Sequence, residues 1–398
     1  MRRQLKWSIA GGLVSIIATA AGIGQIAPTH ENRRSAAIAL EQQGRVSEAE
    51  AAWQEIAKTI PGDAEAYAHL GLLQAREEHY KEAIPLYRKA LALNPKMDGL
   101  RMNLGLAYFK DGNLRLALKI FEPLLQATSK GSPEALRLTT LVGLADYGLG
   151  AYADAVPHLT EATAADPQNL PFRMMLVRAC LWSKQYRCVL DGYHEILALN
   201  AESVEADMLA GEAYDEMKNE AGAIAEFQAA IKADPKAPDA HFGYGYLLWR
   251  RLKFDEAETE FKSELANNPD HPLALTYLGD TEIHLNHSSE AAPYLKHAIQ
   301  IQPSIALAHL DLGITYQGEE LTDDALREEK SAERLSPDDP TVHWHLGQLY
   351  QSLGQRKEAK AEFEKTQNLQ TKKIESLREQ MNQVGTKPGG QKADLETK

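Results

Sequence analysis

The sequence carries none of the short signatures that announce catalysis. It has no G-x-S-x-G, no glycine-rich phosphate loop and no H-E-x-x-H. Cysteine is almost absent. Only Cys180 and Cys188 occur, and no C-x-x-C marks a metal or redox centre. Positive charge is in deficit, with 43 Lys and Arg against 56 Asp and Glu and a formal net charge of −13. That argues against nucleic acid and anionic lipid as main partners, because both require a basic face. No catalytic set, metal or cofactor is expected.

Acid is missing altogether from residues 1–27. Arg2, Arg3 and Lys6 form a basic start, Trp7 to Ile17 is apolar, and Ala18-Thr19-Ala20 is a small-x-small cleavage pattern. The segment reads as a cleaved export signal. The rival reading is an uncleaved membrane anchor over residues 7–27, weakened by Gly11, Gly12, Gly22 and Gly24. Basic residues stay inside, so both readings export the rest of the chain. The expected location is periplasmic or secreted, with membrane contact only through such an anchor.

What the chain does have is a period. Gly211, Gly245, Gly279, Gly313 and Gly347 recur every 34 residues. Ala223, Ala257, Ala291, Ala325 and Ala359 keep the same register, as do Pro235, Pro269, Pro303 and Pro337. A fixed period means a repeat architecture. With Val204 as position 1, Ala210, Gly211 and Tyr214 fall on one helical face, and Ala223, Phe227 and Ala230 on another. Met217-Lys218-Asn219-Glu220 is a polar connection, and Pro235 stops the second helix. Each unit is two antiparallel helices, with Gly211 and Ala223 letting them approach closely.

The pattern His343-x2-Leu346-Gly347-x2-Tyr350 followed by Ala359-x3-Phe363 resembles the tetratricopeptide repeat, as does Tyr67-x2-Leu70-Gly71 with Ala83-x3-Tyr87, Ala90 and Pro95. Units are expected to start near His30, Ala64, Asp98, Leu136, Leu170, Val204, Pro238, Pro272, Ala306 and Pro340. The resemblance implies an all-α, right-handed superhelical solenoid of about ten repeats over residues 30–369. A capping helix over 370–384, with Leu369, Ile374, Leu377, Met381 and Val384 on its apolar stripe, and a disordered tail over 385–398 should follow. Between Gly105 and Gly143 the period slips to 38, with Ser132 as a plausible N-cap and Pro133 at the first helical position.

The fifth unit is degenerate: Val177 replaces the glycine and Val189 the alanine. It also holds both cysteines, at positions 11 and 19. A register pairing position 8 with 20 pairs 11 with 17, which favours two buried free thiols. A disulfide is the alternative in an oxidising compartment.

In the first helices, positions 4, 7, 8 and 11 pack within the unit. Positions 2, 5, 9 and 12 point roughly 130° away, and in tetratricopeptide proteins that stripe lines the concave groove. Here it offers Met102, Leu106 and Phe109, then Leu144 and Tyr147, then Met174, Arg178 and Leu181 with Trp182 beside them. Met208, Glu212 and Asp215 follow, then Phe242, Tyr246 and Trp249. One reading packs some of this surface on the neighbouring helix. The other, preferred, is an exposed apolar groove for a partner protein or peptide. Arg178 and Glu212 either pair with each other or anchor ligand charges. The carboxylate clamp of chaperone-binding members needs lysine and asparagine at positions 5 and 9. Ala68 and Leu72, Met102 and Leu106, and Thr140 and Leu144 stand there instead. His241, His309 and His343 occupy position 4, a packing slot. The expected function is a non-enzymatic exported protein–protein interaction scaffold. The alternative is an accessory subunit of a cell-envelope complex for secretion, polymer export or cytochrome maturation.

Overall fold

The computed structural model describes residues 29–97, 99–200 and 202–385. The expected signal or anchor segment and nearly all of the expected tail lie outside them. The described residues form twenty α-helices and no strand. The first unit pairs α1 (His30–Gln42) with α2 (Val46–Thr59). Next come α3 (Ala64–Arg76), α4 (Tyr80–Leu93), α5 (Leu100–Lys110) and α6 (Leu114–Ala127). Then follow α7 (Pro133–Gly148), α8 (Tyr152–Ala165), α9 (Leu170–Trp182) and α10 (Tyr186–Leu199). The second half continues with α11 (Val204–Glu216), α12 (Glu220–Ala233), α13 (Ala240–Arg250), α14 (Phe254–Asn267), α15 (Pro272–His284) and α16 (Ser288–Ile301). It closes with α17 (Ala306–Gly318), α18 (Thr322–Leu335), α19 (Pro340–Ser352) and α20 (Arg356–Gly385). Successive helix pairs stack as an all-α solenoid. The contacts divide the chain after Leu149 into two compact units. No described helix is long and apolar enough to cross a membrane.

The caps follow local chemistry. Ser132 Oγ accepts the Ala135 N–H at 3.1 Å with Pro133 as the first helical residue, the cap expected at the slipped period. Asp63, Asn169 and Ser203 cap α3, α9 and α11 in the same way. The connection within each pair is a repeated turn. Position 15 is left-handed throughout, with glycine at Gly44, Gly112, Gly150 and Gly354. Glu78, Lys184, Lys218, Leu252, Asn286 and Glu320 adopt the same conformation without being glycine. The position-16 N–H donates to the position-11 carbonyl, as from Asn219 to Tyr214 at 2.8 Å and from Lys253 to Leu248 at 3.0 Å. This is the Schellman closure, which satisfies carbonyls that the helix end leaves open.

The position-8 glycine meets position 24, one turn beyond the alanine expected to face it. A Cβ on Gly211 would lie 2.9 Å from Phe227, and one on Gly279 2.6 Å from Leu295. The ring or leucine therefore packs directly on bare backbone. In the fifth unit the small residue has changed sides: a Cβ on Gly192 would lie 2.5 Å from Val177 Cγ2. Val177 is thus matched rather than merely degenerate. The register also corrects the expectation for the cysteines. Cys180 and Cys188 are joined as a disulfide, with their Cα atoms 5.9 Å apart. A glycine that faces the stretch between positions 20 and 24 brings position 11 opposite 19, not 17.

The position-4 histidines do more than fill space. Nδ1 of His241, His309 and His343 lies 2.6, 2.7 and 2.6 Å from Glu260, Glu328 and Glu362. Each Nε2 faces the carbonyl of Pro235, Pro303 or Pro337 at the end of the preceding pair. One imidazole thereby ties three helices together.

One slot breaks the pattern. Position 24 of the ninth unit is Glu329, fully buried, with neither carboxylate oxygen hydrogen-bonded. Burial without a partner pushes its carboxyl up to about 8. The expected separate capping helix is instead the continuation of α20, with Ile374 52% exposed; the side chains of Leu377, Met381 and Val384 lie outside the described residues.

Two predictions follow from this packing. Leu252 is left-handed and 73% exposed. A left-handed side chain costs about 1–2 kcal/mol, and glycine's extra freedom in the unfolded chain offsets part of the gain. Leu252→Gly should therefore stabilise by about 0.5–1 kcal/mol in urea unfolding. Glu329 is held protonated in the fold and ionises near pH 4.5 once unfolded. The unfolded chain then carries fewer protons, so stability falls as pH rises from about 5 to 8 and levels off above. At about 1.36 kcal/mol per tenfold change in proton affinity, the loss is on the order of a few kcal/mol. Glu329→Leu should raise the melting temperature and flatten that pH dependence; an unchanged profile would place the titration elsewhere.

Candidate partner-binding groove

The first helices of successive pairs lie side by side: α11 touches both α9 and α13, and α13 touches α15. The second helices cover their other face, so the exposed sides of α9, α11, α13 and α15 form one surface. A cavity of about 730 Å³ opens there. Leu181 and Trp182 at the end of α9 form one wall. Lys184 and Tyr186 follow them in the segment closed by the Cys180–Cys188 disulfide. Met208, Glu212, Asp215 and Glu216 come from α11, and Phe242 and Tyr246 from α13. His271, Pro272 and Leu273 at the start of α15 complete it.

Seven of the expected groove residues therefore converge: Leu181 with the adjacent Trp182, Met208, Glu212, Asp215, Phe242 and Tyr246. The others do not. Met102, Leu106 and Phe109 are half-buried against the Phe121, Leu138 and Val142 cluster, with the Phe109 and Phe121 rings 6.4 Å apart. Leu144 and Tyr147 are half-buried on α7. Met174 is buried, as is most of Leu181. Arg178 pairs with Glu205, not Glu212. Trp249 donates its indole N–H to the buried Asp280 and packs on Tyr246 and Tyr277. It is a joint between α13 and α15 rather than an exposed anchor. At Met102, Leu106, Phe109 and Trp249 the next first helix takes up the stripe, through Leu138 and Val142 on α7 and through Tyr277 and Asp280 on α15.

Lys184, Tyr186, Glu216, Asp239 and His271 line the cavity outside the expected set. Asp239 stands at position 2, inside the stripe, so its signal was present. Its left-handed φ of 63° directs the carboxylate to His271 Nε2 at 2.8 Å, and this bond lowers the Asp239 pKa. His271 Nδ1 accepts the Ala274 N–H at 2.9 Å; burial lowers the imidazole pKa, but the hydrogen bond and charge of Asp239 outweigh it and hold it above its ordinary value.

Among the described residues, two groups of side chains have the spacing of metal ligands. In the first, Asp239, Glu264 and His271, both Glu264 oxygens accept backbone N–H groups of Asp239 and Phe242. A metal on Nε2 would leave Nδ1 without its capping lone pair or force an imidazolate. In the second, Lys365 bridges Glu333 and Glu362 at 2.9 Å each. Hydrogen bonds and ion pairs account for both groups.

The Tetratricopeptide repeat pattern matches residues 34–98, 193–238, 208–272 and 242–306 in one form, 74–141 and 147–187 in a second, and 340–372 in a third. Together these matches span well over half of the chain. The chain is similar to the BBSome complex member BBS4 of Bos taurus, 23% identical over 334 residues, covering 84% of this chain and 57% of that protein. It is also similar to the Protein O-mannosyl-transferase TMTC1 of Homo sapiens, 23% identical over 210 residues, covering 52% and 23%. The chain thus spans a little over half of the first relative and about a quarter of the second. Among solved structures, a tetratricopeptide repeat protein from Parabacteroides merdae aligns with a TM-score of 0.48 and 16% identity, over 67% of this chain and 97% of that one. YrrB, described as a TPR protein with an unusual peptide-binding site, aligns with a TM-score of 0.39 and 19% identity, over 48% and 97%.

Proposed function

Because this chain belongs to the tetratricopeptide-repeat family, we propose that it is a non-enzymatic, exported scaffold that holds a segment of a partner protein in the groove across α9, α11, α13 and α15. Repeats of this family generally bind protein or peptide partners. The carrying observation is the cavity itself. Its apolar lining from Leu181, Met208, Phe242 and Tyr246 is left over after each helix pair has packed its own core. Aromatic and methionine side chains around a concavity favour protein segments.

Export is supported by the basic, acid-free start with its apolar run and by the Cys180–Cys188 disulfide, a bond that persists in oxidising compartments. A second reading, a subunit of a standing envelope complex, is favoured by the relative named as a complex member. The two differ in whether the partner stays bound through purification.

Capture from an envelope extract by the full chain, followed by mass spectrometry, tests the reading. Truncating an aromatic interface anchor typically costs about 2 kcal/mol or more. Phe242→Ala with Tyr246→Ala should therefore weaken partner capture at least about tenfold. Trp249→Ala should act mainly on the melting curve, because it leaves Asp280 buried without its donor. Capture untouched by the double variant would move the binding surface elsewhere. Fractionation with a C-terminal tag should place the repeats outside the cytoplasm; a chain found wholly in the cytosol would end the export reading.

A further inference from the structure

We propose that the groove selects a partner segment in which a lysine or arginine lies beside a large apolar side chain, the cation being received by Glu212, Glu216 and Asp239. The inference rests on the groove reading above and adds the chemistry of the occupant.

The three carboxylates share the cavity with fewer cationic groups than their own number: Lys184 and His271 are the basic residues of its lining. Glu212 forms no hydrogen bond or ion pair among the described residues; its carboxyl is raised by the apolar surroundings and by the charges of Asp239 and Glu216. Glu216 accepts only from a neutral phenol, Tyr186, at 3.3 Å. Asp239 is hydrogen-bonded to His271 at 2.8 Å, and this partner offsets part of its charge. The remaining acid of the cavity, Asp215, is already taken by Arg250 at 2.6 Å. Lys184 lines the same cavity and, among the described residues, makes no ion pair with any of the three. Even with its charge counted, the site is left with an excess of negative charge.

The opposing walls are apolar. Met208, Phe242 and Tyr246 offer the surface on which a methylene stem lies while its charged head reaches the carboxylates. Exposed carboxylates beside an apolar wall favour a charge-assisted bond to ammonium or guanidinium. They penalise an acidic or neutral segment, which would cover them without pairing. The cavity of about 730 Å³ exceeds one side chain. The occupant is therefore a segment bringing a cation and an apolar neighbour together, rather than a lone cation.

The test is selection of a random phage-displayed peptide library on the intact chain, followed by fluorescence anisotropy of the selected peptides. Enriched sequences should place Lys or Arg within a helical turn of Leu, Met, Phe or Trp. Replacing that cation by glutamine should weaken binding by about tenfold. Glu212→Gln with Glu216→Gln should cause a similar loss for the cationic peptide and none for its glutamine counterpart. A melting curve would confirm that the variant is folded, and binding should weaken with added salt. Selected peptides that depend on Phe242 but carry no cation would overturn this inference and leave the groove reading standing. Peptides indifferent to Phe242→Ala would overturn both. Spermidine binding as tightly as the best peptide would replace the protein segment with a small polyamine.

Discussion

Most helix pairs of this chain depend on one contact, a glycine pressed against the side chain at position 24. At Gly71, Gly105, Gly211, Gly245, Gly279 and Gly347 the partner is an aromatic ring or a leucine, so close that a single added carbon would collide with it. The contact needs a small residue on one side and a large one on the other, not a fixed assignment of sides. The fifth unit shows this, since Val177 and Gly192 exchange roles without opening the pair. Close-packed interiors tolerate such reciprocal changes better than one-sided ones.

Because the pair is sealed internally, its stacking on the next pair uses the remaining surface, and the candidate groove is what survives that second packing. Over α5 and α7 the stripe is largely consumed, with Met102, Leu106 and Phe109 leaning on Phe121 and Leu138. Over α13 and α15 an aromatic group forms in which Tyr277 meets the edges of Tyr246 and Trp249 at 5.1 and 5.0 Å. This group is half core and half surface. It holds the two helices in register and presents Phe242 and Tyr246 to the cavity.

Buried acids are the other recurrent theme. Glu329 replaces the ring that position 24 usually carries, and Asp311 is enclosed with its pKa pushed well above the carboxylate range by burial and by Asp280. Both are costs to stability that packing elsewhere offsets. The carboxylates of the groove differ from them because they stay exposed to water. The acidic bias of the composition recurs at this concavity, where Glu212, Glu216 and Asp239 line the wall.

The period, the helix boundaries and the family were legible in the sequence because packing residues recur at 34-residue spacing, and each such residue reports its own slot. Helix starts at Ala64, Leu170, Val204, Pro272, Ala306 and Pro340 coincide with the expected unit starts. Part of the groove was legible for the same reason: the stripe at positions 5 and 9 contains Met208, Glu212, Phe242 and Tyr246. Three things required the tertiary structure. The left-handed residue at position 15 carries glycine in some units and Leu252 or Glu320 in others, so composition does not mark a turn imposed by hydrogen bonds. The Cys180–Cys188 link depended on a register offset of one or two residues between helices, below what residue spacing resolves. Which stripe residues line the cavity and which face the next helix was decided by the packing of neighbouring helices. Met174, Arg178 and Trp249 have the spacing of groove residues, but spacing reports a direction from a helix axis, whereas exposure depends on what the fold places in that direction.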